Sequence, residues 1–159
     1  MFLDIIIIGG FGNKYLLDEY PWNVYLDDIE MISIVNGSVL HVNTTIPSLP
    51  KKLCSLTGGK LPNGNLLLRG TREDYWNGDE YLLFKDGSKQ WTKVGASKRA
   101  LLSHSSVLID GCLLTTGGEL TDWKPIANHE EFSLHGGVKE RKEMLNALFV
   151  HTSTINTKF

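Results

Sequence analysis

The residues with types and spacing worth testing for chemistry are five histidines, two cysteines and one glycine-rich segment. His104 and His151 each begin a His-Ser or His-Thr run and could be read as metal ligands or a base. A metal needs several ligands converging on one point, and the chain has no His-x-His or Cys-x-x-Cys spacing. Their recurrence in equivalent settings reads instead as a strand-initiating histidine that bonds to a neighbouring strand layer. His129 with Glu130 and Glu131 could suggest an acid–base group, but reads as the exposed start of a strand. Gly9-Gly10-Phe11-Gly12-Asn13-Lys14 superficially resembles a phosphate-cradling loop. Its spacing fits neither GxxxxGK[ST] nor GxGxxG, and no helix-forming run clearly follows. No catalytic residue, metal or cofactor is expected from these patterns.

The bulk properties narrow the class further. Hydrophobic residues make up 42% of the 159 positions, which supports a packed core rather than disorder. The formal charge of −2, from 16 basic and 18 acidic residues, gives no footprint for nucleic acid or an anionic membrane. Two cysteines, Cys54 and Cys112, cannot build a disulfide framework or a zinc cluster, so a reducing compartment fits. The apolar run Phe2 to Ile8 carries Asp4, lacks a basic lead and stops at Gly9-Gly10. It is too short to span a bilayer and reads as a buried strand, not a signal peptide. The expected location is therefore cytoplasmic, with no membrane partner.

The elements that must position these residues repeat along the chain. Glu30 to Ser38 aligns without gaps to Glu80 to Ser88, an offset of 50 residues. A third copy begins at Glu131-Phe132-Ser133, and His151-Thr152-Ser153 matches His104-Ser105-Ser106. A second marker is an apolar strand running into a glycine pair. It occurs at Ile5 to Gly10 and Cys112 to Gly118, and in degenerate form at Asn65 to Gly70, with Arg69 in place of the first glycine. Asn36-Gly37, Asn63-Gly64, Asp86-Gly87 and Asp110-Gly111 are hairpin signals between β-rich runs. Each period thus holds two hairpins, or four short strands. The segment Val138 to Ala147 has helical propensity, but the repeat places an outer strand and a loop there. Four strands per period of this length is the signature of a propeller blade.

The apolar run with Gly-Gly, the acidic-aromatic strand, the tryptophan and the Arg-x-x-x-x-His-Ser-Ser run resemble the Kelch repeat. The best copy runs from Glu80-Tyr81 through Trp91 and Arg99 to His104-Ser105-Ser106-Val107, ending at Gly117-Gly118. The resemblance implies an all-β fold of Kelch-type β-propeller blades, each of four antiparallel strands lettered a to d from the axis outward. About three blades are expected, an incomplete or partial propeller. The chain is read as one domain, 1–159, with units 1–50, 51–99 and 100–147 and a final strand over 148–159. The strands run b-c-d, a-b-c-d, a-b-c-d and a last a near Leu148 to Ile155. The repeat motif assigns structural roles to Gly9, Gly10, Gly70, Trp91, His104, Gly117 and Gly118.

Kelch proteins commonly bind other proteins, so the resemblance implies an interaction module rather than an enzyme. The contact loops would be b–c (Phe11 to Asp28, Gly70 to Gly78, Glu119 to Asn128) and d–a (Ile46 to Leu53, Gly95 to Ser103, Glu143 to Phe149). These loops hold Tyr20 and Trp22, and the candidate partner-binding residues Arg72, Tyr75, Trp76, Arg99, Ser103 and Trp123. Trp, Tyr and Arg dominate binding hot spots because they join contact area to directional bonds. A protein or peptide partner is expected, with homo-oligomerisation as a way to complete the ring. The alternatives are a propeller enzyme of the copper-oxidase or glycosidase type, or a non-functional fragment of a larger Kelch protein. The first would need Tyr75 or Tyr81 to converge with Cys54 or Cys112. For the second, Asp86 and Trp91 alone match a sialidase-type Asp-box.

Overall fold

The computed structural model describes residues 2–12, 24–42, 44–72, 79–120 and 122–147. Eleven antiparallel strands form three separate sheets among them. Sheet I holds β1 (Phe2–Gly12), β2 (Val24–Val35) and β3 (Ser38–Val42), in that order. Sheet II holds β4 (Leu53–Lys60), β5 (Leu66–Arg72), β6 (Glu80–Phe84) and β7 (Trp91–Ala96). Sheet III holds β8 (Ser105–Ile109), β9 (Cys112–Thr116), β10 (His129–Ser133) and β11 (Gly137–Glu140). Each sheet is a meander in which consecutive strands pair. This grouping of three, four and four follows the strand order read from the repeats. The twelfth strand, near Leu148 to Ile155, lies outside the described residues.

The turn chemistry explains the register. Asn36 and Gly37 both take positive φ, 51° and 82°, and Asp110 and Gly111 do the same at 49° and 76°. Two successive left-handed residues make the tight turn whose twist suits a two-residue hairpin. Accordingly Val35 pairs with Ser38, and Ile109 with Cys112. The strands of sheet I extend further than expected, since pairing continues to Gly12 opposite Val24. The first b–c loop is correspondingly shorter than Phe11 to Asp28. After β11 the chain leaves strand geometry, and none of residues 141–147 is helical. Among the described residues no helix is long and apolar enough to cross a membrane.

Sheet II lies between the other two. Its Leu66, Leu68, Leu82, Phe84 and Trp91, with Leu49 and Leu53, form one apolar cluster against Ile6, Ile8 and Ile29 of sheet I. On its other face Leu67, Tyr81 and Leu83 pack with Leu113 and Phe132 of sheet III. The two clusters follow from strand alternation, because Leu66 and Leu68 point opposite to Leu67. Trp91 also donates its indole N–H to the Pro47 carbonyl at 2.9 Å, which pins the linker from sheet I.

Candidate functional site

Gly117-Gly118 follows the end of β9, whereas Gly9-Gly10 lies inside β1, at a register shift between Ile8 and Gly10. Gly117 and Gly118 take φ of 60° and 100°. A Cβ on Gly118 would stand 2.9 Å from the Leu102 carbonyl and 3.0 Å from the His104 Cβ. Glycine is required there by backbone conformation and by close approach together. The payoff is a pair of backbone bonds between Leu102 and Glu119, at 3.0 and 2.9 Å, that ties the linker after β7 to the β9–β10 loop.

The second copy solves the same problem differently. Neither Arg69 nor Gly70 takes positive φ. Arg69 is instead fully buried, at 0% exposure, in a cluster of polar side chains. Its Nε donates to Asp79 Oδ2 at 2.6 Å, and one terminal nitrogen donates to Glu130 Oε1 at 2.9 Å. The same nitrogen lies 3.2 Å from the Tyr81 hydroxyl, which itself donates to Glu130. Ser97 donates to the other Glu130 oxygen at 2.8 Å. The Tyr81 ring stacks on Phe132 at 3.9 Å between centroids. Arg69, Asp79 and Tyr81 come from sheet II and its loop, whereas Glu130 and Phe132 come from sheet III. The cluster therefore bolts the two sheets together.

Its electrostatics favour the charged form of Arg69. Burial opposes the Arg69 charge, but Asp79, Tyr81 and Glu130 outweigh that penalty and hold its pKa above the ordinary value. Burial likewise pushes the Tyr81 phenol well above its usual range; Arg69 opposes this, and the neighbouring carboxylates reinforce it. Tyr81 therefore stays protonated and serves as a donor. These groups have structural partners and face one another, so the sequence reading of Glu130 needs correction. It is 2% exposed and ion-paired, not the exposed start of a strand, and its neighbours His129 and Glu131 are half-buried. Position 69, read as a degenerate glycine, is the cluster's centre. The available signal was an arginine following three leucines, because a charge on a buried strand must find partners.

The cluster also shapes the loop end of the molecule. Asp79 Oδ1 accepts the Leu101 N–H at 3.2 Å and lies 2.6 Å from the Thr71 hydroxyl. The Asp79 backbone bonds to Arg99 and Ser97, at 3.2 and 2.9 Å. The linker from Ser97 to His104 is thereby held on one side by sheet II and on the other by the β9–β10 loop. Arg99 is half-buried and donates to Asn128 Oδ1 at 3.2 Å, with Glu140 at 3.9 Å. Ser103, at φ 53°, donates to Glu119 Oε1 at 3.1 Å. Trp123 is 71% exposed, at φ 63°, with its backbone N–H donating to the Leu120 carbonyl at 2.9 Å. It sits between Asp122 and Lys124, which pair at 2.6 Å.

The other sequence candidates divide as follows. Arg72 ends β5, and its side chain lies outside the described set. Tyr75, Trp76, Tyr20, Trp22 and His151 lie outside the described residues. His104 is buried, with Nδ1 3.0 Å from the Leu101 carbonyl and Nε2 3.2 Å from Thr57 Oγ1 of sheet II. Thr57, Ser106 and Thr115 continue this contact as a chain of hydroxyls at 2.8 Å spacings. Cys54 is buried, its thiol 3.7 Å from the Thr71 carbonyl, and Cys112 is half-buried; neither is in a disulfide. Among the described residues no group of three or more His, Cys, Asp or Glu is placed to hold a metal ion.

No family model and no curated protein matches the chain. Its structure is similar to the solved structure of YjhT, with a TM-score of 0.66 at 11% identity. The match covers 89% of this chain and 49% of YjhT, so the chain spans about half the length of that neighbour. At this identity the likeness concerns the fold alone. The chain is an all-β protein of several antiparallel sheets, consistent with a β-propeller-like fold.

Proposed function

We propose that the chain is a Kelch-type interaction module of about three blades, binding a protein or peptide partner through loops at one end of its sheets. One observation carries this reading: a bulky indole, Trp123, stands largely exposed on a loop whose backbone is fixed on both sides. An aromatic that is both exposed and held in place makes a favourable anchor, since little ordering entropy is lost on binding. Arg99 and Ser103 border the same loop through Asn128 and Glu119. Their positions suit the acidic or polar groups of a peptide.

The test is selection from a displayed peptide library, followed by affinity measurement on the wild type and on Trp123→Ala. Loss of the indole is expected to weaken the selected peptides by at least about tenfold, roughly the 1.4 kcal/mol of a modest hot spot. Arg99→Ala is expected to weaken the acidic peptides among them more than the neutral ones. Peptides that bind both variants as tightly as the wild type would remove this surface from the proposal.

A further inference from the structure

The chain contains three Asn-Gly pairs, at Asn36, Asn63 and Asn77, and the interaction surface uses none of them. Such a pair carries its own electrophile and nucleophile. The side-chain amide carbon of asparagine can be attacked by the backbone nitrogen of the next residue, and glycine puts no side chain in the way. The attack needs that backbone N–H free to lose its proton and the turn free to rotate. Asn77-Gly78 lies outside the described residues, but the other two pairs are held very differently.

The pair in sheet II is locked. Gly64 donates its N–H to the Leu61 carbonyl at 2.9 Å, and Leu61 donates to the Asn65 carbonyl at 2.8 Å. Asn63 Oδ1 accepts the Asn65 N–H at 3.2 Å, and Asn65 Oδ1 accepts the Asp86 N–H at 3.1 Å. Leu61 itself is buried in the core shared with sheet III. Both reacting groups are engaged, so reaction at Asn63 first requires breaking several hydrogen bonds at once.

The pair in sheet I is open. Asn36, Gly37 and Ser38 are all exposed. Val35 pairs with Ser38, which leaves the Gly37 N–H outside the ladder. Neither that N–H nor the Asn36 side chain has a partner among the described residues. Around Gly37, the space a side chain would occupy is empty to 4 Å. The turn joins β2 to β3, and β3 is an edge strand exposed at all five residues. Opening this end of the hairpin uncovers no buried side chain of β3.

We infer that Asn36 is a site of self-modification, passing through a cyclic imide with Gly37 to isoaspartate, and that this releases β3 from β2. The Gly37 nitrogen gives its proton to solvent and bonds to Asn36 Cγ. The Cγ–Nδ2 bond breaks and ammonia leaves. Water then adds to one of the two imide carbonyls and cleaves its bond to nitrogen. Attack at Cγ leaves aspartate. Attack at the backbone carbonyl leaves isoaspartate, whose main chain runs through Cβ and Cγ. Either product adds a negative charge, and isoaspartate also lengthens the turn by one methylene. A two-residue turn sets the register of its hairpin. The longer turn therefore no longer joins Val35 to Ser38 in register.

The test is peptide mapping by tandem mass spectrometry on protein aged at mildly alkaline pH, native and in urea. In urea the Asn-Gly pairs share one chemistry, and Asn36 and Asn63 are expected to react at similar rates. In the native protein Asn36 is expected to react several-fold faster than Asn63. Amide hydrogen exchange over Ser38 to Val42 should be several-fold faster in the aged protein than in the fresh one. Asn36→Gly removes the electrophile while keeping a residue that accepts positive φ, and should show neither change on ageing. Native Asn63 reacting as fast as Asn36, or Asn36 intact in the native protein while it reacts in urea, would overturn the site. Isoaspartate at 36 with unchanged exchange over β3 would overturn the release.

Discussion

The junction between sheets II and III and the junction between sheets I and II come from one repeat, yet they hold by different means. The first is crossed by the Arg69–Glu130 ion pair, the Tyr81–Glu130 hydrogen bond and the hydroxyl chain from Thr57 to Thr115. The second is built from Ile6, Ile8 and Ile29 against leucines, and it leaves a cleft of about 330 Å³ lined by Asp4, Ile6, Leu56, Lys60 and Leu66. Apolar contact has no preferred direction, so it tolerates such a gap. Buried charge does not: each partner must lie within bonding distance or its desolvation is uncompensated. The difference teaches that a buried ion pair fixes the relative placement of two sheets where apolar contact alone leaves room.

Breaking the charged junction should have the largest effect. Arg69→Ala leaves Asp79 and Glu130 buried without their cation, and is expected to cost about 3–5 kcal/mol. Urea denaturation would show this as a large fall in midpoint. A cost under about 1 kcal/mol would mean that the cluster is not what fixes sheet III. In the apolar junction Ile8→Ala should cost less, about 1–2 kcal/mol, because the side chain is half-buried beside an existing cleft. A cost equal to that of Arg69→Ala would mean that the apolar junction is as demanding as the charged one.

The smallest effect is expected at Glu80. Its carboxylate is buried and accepts Lys51 Nζ at 2.9 Å and Lys93 Nζ at 3.1 Å. Burial alone would raise its pKa; the two lysine bonds outweigh burial and hold it below the ordinary value. A depressed folded pKa means the stabilisation is present above the unfolded value and is lost as pH falls through the folded one. Glu80→Gln should therefore flatten the acid limb of stability by about 0.5–1 kcal/mol, a figure kept small by the exposure of both lysines. Thermal melts between pH 3 and pH 7 would check it, and an unchanged acid limb would assign the slope to other carboxylates.

Much of the local structure was legible because it rests on short-range rules. Asn36-Gly37 and Asp110-Gly111 form the two-residue hairpins expected of them, whereas Asn63-Gly64 and Asp86-Gly87 sit in longer loops, between the Lys60–Leu66 and Phe84–Trp91 pairs. The unbroken leucine run Leu66 to Leu68 that opens β5 likewise announces a strand buried on both faces. The polar cluster was not legible. Arg69 and Glu130 lie 61 residues apart and come from different repeats, so no window of sequence contains both. Judged from neighbours alone, Glu130 beside His129 and Glu131 looks like a solvated strand end, and Arg69 looks like a spoiled glycine. The loop candidates are intermediate: sequence could nominate Arg99 and Ser103 by their place in the repeat, but not their bonds to Asn128 and Glu119.

The sequence by itself therefore determined the strands, their order and the tight turns, since these depend on alternation and on residues that accept positive φ. Only the tertiary structure decided which faces meet, which face of sheet I stays open and which charges are buried. Those outcomes depend on bringing distant repeats together, where the cost of desolvating an arginine is set by the carboxylates that the neighbouring sheet delivers.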